Sequence, residues 1–134
     1  MAIQYSTTHR TNAVADIATQ AGINAVIKIF SGTPPANCAT ADTGLLLVTF
    51  AGNATQFGTT ASGLMTASIV ANATAGNAGT AGYFRVYPSA ATTTNAVFQG
   101  TVAMSGGDMT VTNTSIALSQ TCTFGPLTVQ AFGA

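Results

Sequence analysis

Tyr83-Phe84-Arg85-Val86-Tyr87-Pro88 decides how the chain is to be read. Tyr83, Arg85 and Tyr87 fall on one face of an extended strand and Phe84 and Val86 on the other, because side chains alternate with period two. Ser89 to Asn95 (SAATTTN) has turn composition, and Val97 to Met104 (VFQGTVAM) returns, so the segment predicts a hairpin.

The same reading extends in both directions. Upstream, Ala25 to Phe30, Gly44 to Ala51 and Leu64 to Ala71 are short apolar, β-branched runs. They are separated by Ser31-Gly32-Thr33-Pro34-Pro35 and by Gly52-Asn53. Asn72 to Gly82 (NATAGNAGTAG) has no large apolar residue and reads as a loop. Downstream, Ser105 to Asp108 is a turn. Met109 to Asn113, Ile116 to Leu118 (or on to Phe124) and Leu127 to Phe132 read as further strands, the last after Gly125-Pro126. The total is about eight strands without crossover helices between them, which predicts an antiparallel β-sandwich of jelly-roll type. An immunoglobulin-like sandwich is disfavoured by the absence of Trp.

One helix is expected, at Thr8 to Ala21. Ser6, Thr7 and Thr8 offer capping oxygens, Val14, Ile17, Ala18 and Ala21 recur at i, i+3, i+4, i+7, and Gly22 follows. The expected division is an arm and helix over residues 1–22 and a β-sandwich over 23–134, within one compact domain.

Composition narrows the function. Of 134 residues only 4% are charged: Arg10, Lys28 and Arg85 against Asp16, Asp42 and Asp108, with one His and a net charge of zero. A typical soluble domain carries about 25%. Three scattered cations cannot neutralise a run of phosphates, so no nucleic acid is expected as a partner. No apolar run approaches the roughly 20 residues of a membrane helix, so no membrane is expected either. MAIQYSTTHRTN lacks the apolar region of a signal peptide. The chain has 25 Ala and 24 Thr. Such a neutral surface suits a subunit that lies against other protein copies, since burying an unpaired charge is costly.

Chemistry-bearing constellations are scarce. His9 has no Gly-x-Ser-x-Gly partner, and Asp16, Asp42 and Asp108 stand in no paired-carboxylate context. Asp42 and Asp108 read as turn residues with local hydrogen bonds. Cys38 and Cys122 have no metal-ligand spacing and read as free thiols. The expectation is a protein that is not an enzyme and has no cofactor or metal. Candidate interface residues are His9 and Arg10 at the helix start, with Tyr83, Arg85 and Tyr87. A guanidinium between same-face aromatics can stack and donate a fork of hydrogen bonds to a partner. Tyr83, Phe84 and Tyr87 are also a conceivable stacking platform for a sugar.

An Ala-rich helix followed by Ile27-Lys28-Ile29-Phe30-Ser31-Gly32-Thr33-Pro34-Pro35-Ala36 and, later, Tyr83-Phe84-Arg85-Val86 resembles a group of small virion proteins of tailed bacteriophages. Within that group the chain is most similar to the jelly-roll decoration, or cement, proteins. The resemblance implies a homo-oligomer, a dimer by preference, on the outer capsid surface. There it would bind the major capsid protein and bridge neighbouring subunits, with no active site to carry over. The alternative is a tail or fibre-associated β-domain that binds a host receptor or carbohydrate.

Overall fold

The computed structural model describes residues 3–52, 57, 61–67, 72–123 and 127–130. The helix α1 spans Thr7–Ala21. Ser6 caps it: its backbone is extended and its Oγ accepts the His9 N–H at 3.1 Å. At the other end Gly22 takes φ 69°, and its N–H reaches the Ala18 carbonyl at 2.9 Å.

Ten strands follow among the described residues: β1 (Val26–Ser31), β2 (Leu46–Ala51), β3 (Leu64–Ala67), β4 (Ala73–Thr74), β5 (Gly79–Tyr87), β6 (Phe98–Ala103), β7 (Met109–Thr110), β8 (Ser115–Ile116), β9 (Thr121–Cys122) and β10 (Leu127–Gln130). The protein is mainly β with one helix. A six-stranded sheet runs in the order β2-β1-β5-β6-β7, with β8 also on β5, and two ribbons pair β3 with β10 and β4 with β9. About eight strands were expected. The excess comes from β4, inside the segment read as a loop, and from β9, since the stretch from Ile116 to Phe124 touches two separate two-residue strands, β8 and β9. One pairing departs from the antiparallel expectation: β7 runs parallel to β6, Val102 opposite Met109.

Register follows from the alternation. Ile27 and Ile29 on β1 stand opposite Val86 and Phe84 on β5, and opposite Phe50 and Val48 on β2. These six side chains form one buried face. Burying each contributes roughly 1.5–3 kcal/mol. The ribbons close over this face with Ala67, Leu127 and the half-buried Cys122, while β7 and β8 add Met109 and Ile116. Helix α1 joins the same body. Val14 packs on Met65 of β3, and Ala21 reaches the main core.

The segment from Asn72 to Gly82 is not the loop its composition suggests. It contains β4, and β5 begins at Gly79, four residues before Tyr83. Its small residues answer to close packing. A Cβ at Gly82 would stand 1.9 Å from the Gly32 carbonyl oxygen, and one at Gly79 would meet Leu47 Cδ2 at 2.8 Å. The expected strand at Leu64 to Ala71 is seen as far as Ala67, and its remainder lies outside the described residues, as does the end of the one expected at Leu127 to Phe132.

Candidate functional site: a buried Arg85 cluster beneath two loops

The second face of the sheet carries the polar half of the alternation. Lys28 and Phe30 of β1 lie opposite Arg85 and Tyr83 of β5, and Gln99 and Thr101 of β6 lie on the other side of the same two residues. Two irregularities in pairing, at Ile29/Phe30 against β2 and Phe30/Ser31 against β5, release the chain at the end of β1. The 13 residues from Gly32 to Gly44 then form a closed loop. Its neck is tied by Ser31 N–H to the Leu45 carbonyl and Leu45 N–H to Ser31 Oγ, both at 3.0 Å. Within it Asn37 Oδ1 accepts the N–H groups of Ala39 and Thr40.

This loop folds over the polar face and supplies its partners. Arg85 Nη1 donates to Asp42 Oδ1 at 2.6 Å and to the Thr93 carbonyl at 3.3 Å. Its Nη2 donates to the Asn37 carbonyl at 2.9 Å and its Nε to Gln99 Oε1 at 3.0 Å. Gln99 Nε2 in turn donates to the Pro35 carbonyl at 2.7 Å. The Tyr87 hydroxyl donates to the same Asp42 oxygen, and the Tyr83 hydroxyl to the Thr43 carbonyl. A second loop, between β5 and β6, is drawn in because the Thr93 carbonyl also accepts the Asp42 N–H at 3.2 Å. Phe30 stacks on Tyr83 with centroids 5.0 Å apart, and Lys28 Nζ sits 4.9 Å from the centre of the Tyr87 ring.

The electrostatics follow from enclosure. Burial works against the charged guanidinium of Arg85, but the hydrogen bonds and attraction from Asp42 and Tyr87 outweigh it and raise its pKa. Burial and the neighbouring Asp42 carboxylate push the Tyr87 phenol well above its ordinary range, with Arg85 opposing them. The cluster neutralises its own charge and ties two loops to the sheet.

Tyr83, Arg85 and Tyr87 were expected at an interface. All three are fully buried, at 0% exposure. The loop that covers them takes up the hydrogen bonds a partner was expected to receive. The sugar platform fails for the same reason, and Phe84 points into the core at 1% exposure. Asp42, read as a turn residue with local bonds, is the ion-pair partner of a residue 43 positions away. The signal that identifies it is arithmetic. A strand arginine that is to be buried needs a carboxylate, and the chain has only three.

The other two candidates lie on α1. His9 is exposed and stacks on Tyr5, centroids 5.0 Å apart. Arg10 is half-buried against Gly63, where a Cβ would meet its Nη2 at 3.1 Å, and its Nε has no hydrogen-bond partner among the described residues. Asp108 behaves as read, with Oδ2 accepting the N–H and hydroxyl of Thr101 at 2.8 and 2.9 Å. Cys38 and Cys122 are free thiols, and burial pushes that of Cys122 up. Among the described residues no three His, Cys, Asp or Glu side chains gather as a metal site, and no helix is long and apolar enough to cross a membrane. In comparisons with known proteins, no family model matches the chain, and neither a curated protein nor a solved structure matches it.

Proposed function

We propose that this protein is a bacteriophage decoration protein that binds the outer surface of the major capsid protein shell and bridges neighbouring subunits. The observation that carries the proposal is the distribution of its few charges. Arg85 and Asp42 are spent on each other inside the fold. Asp16 and Asp108 on the exposed surface and the half-buried Arg10 and Lys28 are all that remain. The rest of the surface is largely Ala, Thr, Ser, Asn and Gly, which approaches another protein with little desolvation of ions.

Further features support the reading. Of the segments that carry the resemblance, the strand part of Ile27 to Ala36, Ile27 to Phe30, is the paired neighbour of Tyr83 to Val86 at the centre of the sheet. The packing of that sheet against ribbons suits the sandwich of a jelly-roll cement protein. Both surface loops over Arg85 are pinned, so a docking surface there is ordered before binding. Ile3, ahead of α1, is 78% exposed, and Tyr5, also ahead of it, forms an exposed aromatic pair with His9 of the first helical turn. We place the contact to a neighbour in this stretch. Removing residues 1–22 is a poor probe of it, since Val14 and Ala21 belong to the core. Removing residues 1–5 spares the Ser6 cap. The role is binding without turnover, in a homo-oligomer for which a dimer is the simplest symmetric form.

The test is addition of purified protein to capsids that lack it. Saturation at hundreds of copies per particle, with a raised disruption temperature, is the expected result. A handful of copies per particle points instead to a tail or fibre location, and no binding overturns both readings. Unchanged occupancy after removal of residues 1–5 overturns the assigned contact.

A further inference from the structure

The core face of the large sheet is not closed along its whole length. Its cover is made of pieces. Strands β7, β8 and β9 have two residues each, and they pair with β6, β5 and β4 rather than with one another. Among the described residues no continuous second sheet therefore seals this region. The buried side chains of Ile29, Val48, Phe50 and Ala81 floor a cavity of about 300 Å³ there.

Alternation decides which side chains of the cover meet the cavity. Thr110, Thr112, Thr121 and Thr123 border it but are exposed. Val111 and Cys122, between them, are half-buried and pack against the core, and the buried Ile116 joins them. The cavity is thus apolar above and below, and among the described residues no charged side chain lines it. The cover is also held off the floor. Val111 N–H donates to the Ala103 carbonyl at 3.0 Å, Ala81 N–H to the Thr114 carbonyl at 2.8 Å and Ala75 N–H to the Gln120 carbonyl at 2.8 Å. The side-chain oxygens of Asn113 and Gln120 accept the Ser115 and Ala117 N–H groups. The space is preformed rather than opened by a ligand.

We propose that this cavity binds the alkyl chain of a free, uncharged amphiphile, about eight to ten carbons long, with the head group left at the opening. Each property follows from the lining. Water is a poor occupant, because each molecule needs two or more polar partners and the inward side chains are Ile, Val, Phe, Ala and Cys. A hydrocarbon restores the dispersion contacts that Val48, Phe50 and Ile116 lack across the gap. The length comes from scale: benzene fills an apolar cavity of about 150 Å³, so twice that space holds a medium-length chain but not the longer chains of a bilayer lipid. An ionic head beside this lining would lose hydration with no counter-charge to meet it, so the head is uncharged. This binding capacity is separate from the proposed capsid attachment, since the cavity lies on the opposite side of the sheet from the Arg85 loops.

The experiment is a titration of the full chain with 1-octanol, followed by amide and methyl chemical shifts. Saturable shifts at Ile29, Val48, Val111 and Ile116 are expected, with a dissociation constant on the order of 0.1–1 mM for so small a ligand. Affinity should rise about two- to fourfold per added carbon from 1-butanol to 1-octanol and level off before 1-dodecanol. Octanoate should bind more weakly than 1-octanol. Bound octanol should slow alkylation of Cys122 by iodoacetamide and leave the rate at Cys38, in the loop on the other face, unchanged. Ala81→Leu fills the cavity from its floor and should weaken binding at least about fivefold. Cys122→Leu repeats the test from the cover should the first variant fail to fold. Absence of saturable shifts, shifts confined to another surface, a rise in affinity that continues through 1-dodecanol, octanoate binding as tightly as octanol, or full binding by a folded leucine variant each overturns the proposal.

Discussion

Arg85 Nη1 lies 2.6 Å from Asp42 Oδ1, and that same oxygen accepts the Tyr87 hydroxyl. A single loop carboxylate thus holds two side chains of the central strand β5. Arg85 is fully enclosed and the Asp42 side chain is 13% exposed, so both charges have largely left water. Desolvation makes such a pair a modest source of net stability. Its effect is positional: the loop from Gly32 to Gly44 has one place where Arg85, Tyr83, Tyr87 and Gln99 are all satisfied together.

Removing one partner strands the other. Asp42→Ala should cost about 3–5 kcal/mol, because it leaves a buried guanidinium without its carboxylate. Replacing both members with apolar residues of similar size, Asp42→Leu with Arg85→Met, should recover most of the loss. Urea denaturation of the single and double variants measures the coupling. A single variant as stable as the parent contradicts the enclosure described here.

Tyr87 makes stability depend on alkaline pH. Its pKa in the folded protein is raised above the ordinary 10.0 of an exposed phenol, so the folded state keeps the proton where the unfolded chain loses it. The resulting contribution is fully present below about pH 10 and is lost as pH rises from there toward the raised folded value. Melting temperatures between pH 8 and 11 should therefore fall more steeply for the parent than for Tyr87→Phe. At neutral pH the Phe variant should be less stable by about 1.5–3 kcal/mol, the range for a lost hydrogen bond to a charged group.

Two glycines separate backbone crowding from composition. Gly82→Ala drives a Cβ to 1.9 Å from the Gly32 carbonyl oxygen, where only backbone movement relieves the contact. It should destabilise severely and yield little folded protein. Gly76 meets nothing within 4 Å and has no positive φ. Gly76→Ala should be neutral or stabilising by up to about 1 kcal/mol through the unfolded chain. Thermal melts of the two variants give opposite signs.

The Ser6 cap is separable from the core. Ser6→Ala removes the acceptor for the His9 N–H and should cost about 1 kcal/mol, with helical circular dichroism otherwise retained. Ser6→Asp should keep the stability.

The proposed capsid attachment, through a surface so poor in ions, should depend little on salt. Occupancy of the shell is expected to change less than about threefold between roughly 0.05 and 0.5 M NaCl, since screening acts on charge pairs. A steep loss of occupancy with salt would falsify the neutral-contact mechanism.

Sequence legibility tracked the length of each pattern. The helix was readable because Ser6, Gly22 and the spacing of Val14, Ile17, Ala18 and Ala21 are local signals, and it is seen at Thr7–Ala21. Strand β5 was readable because its alternating residues define two faces, and β1, β2 and β6 because they are short apolar runs bounded by turn signals. The two-residue strand β4 had no period to read within a run of small residues, and β7, inside the strand expected at Met109 to Asn113, pairs parallel to β6 through a contact that no local signal encodes. Gly79 to Gly82 reads as part of a loop because the low-complexity stretch from Asn72 to Gly82 has no large apolar residue. In the fold, smallness there admits Leu47 and the Gly32 carbonyl.

By itself, the sequence determined a charge-poor, mainly β chain led by one capped helix, and it placed Tyr83, Arg85 and Tyr87 together on one face of β5. Those properties arise from composition and from neighbours a few residues apart. Only the tertiary structure decided that this face is inward. That required a loop from Gly32 to Gly44 to fold back and bring Asp42 across 43 residues to Arg85. A strand's alternation says which side chains share a face. What covers that face is set by long-range closure, where the requirement to satisfy a buried guanidinium outweighs any local preference.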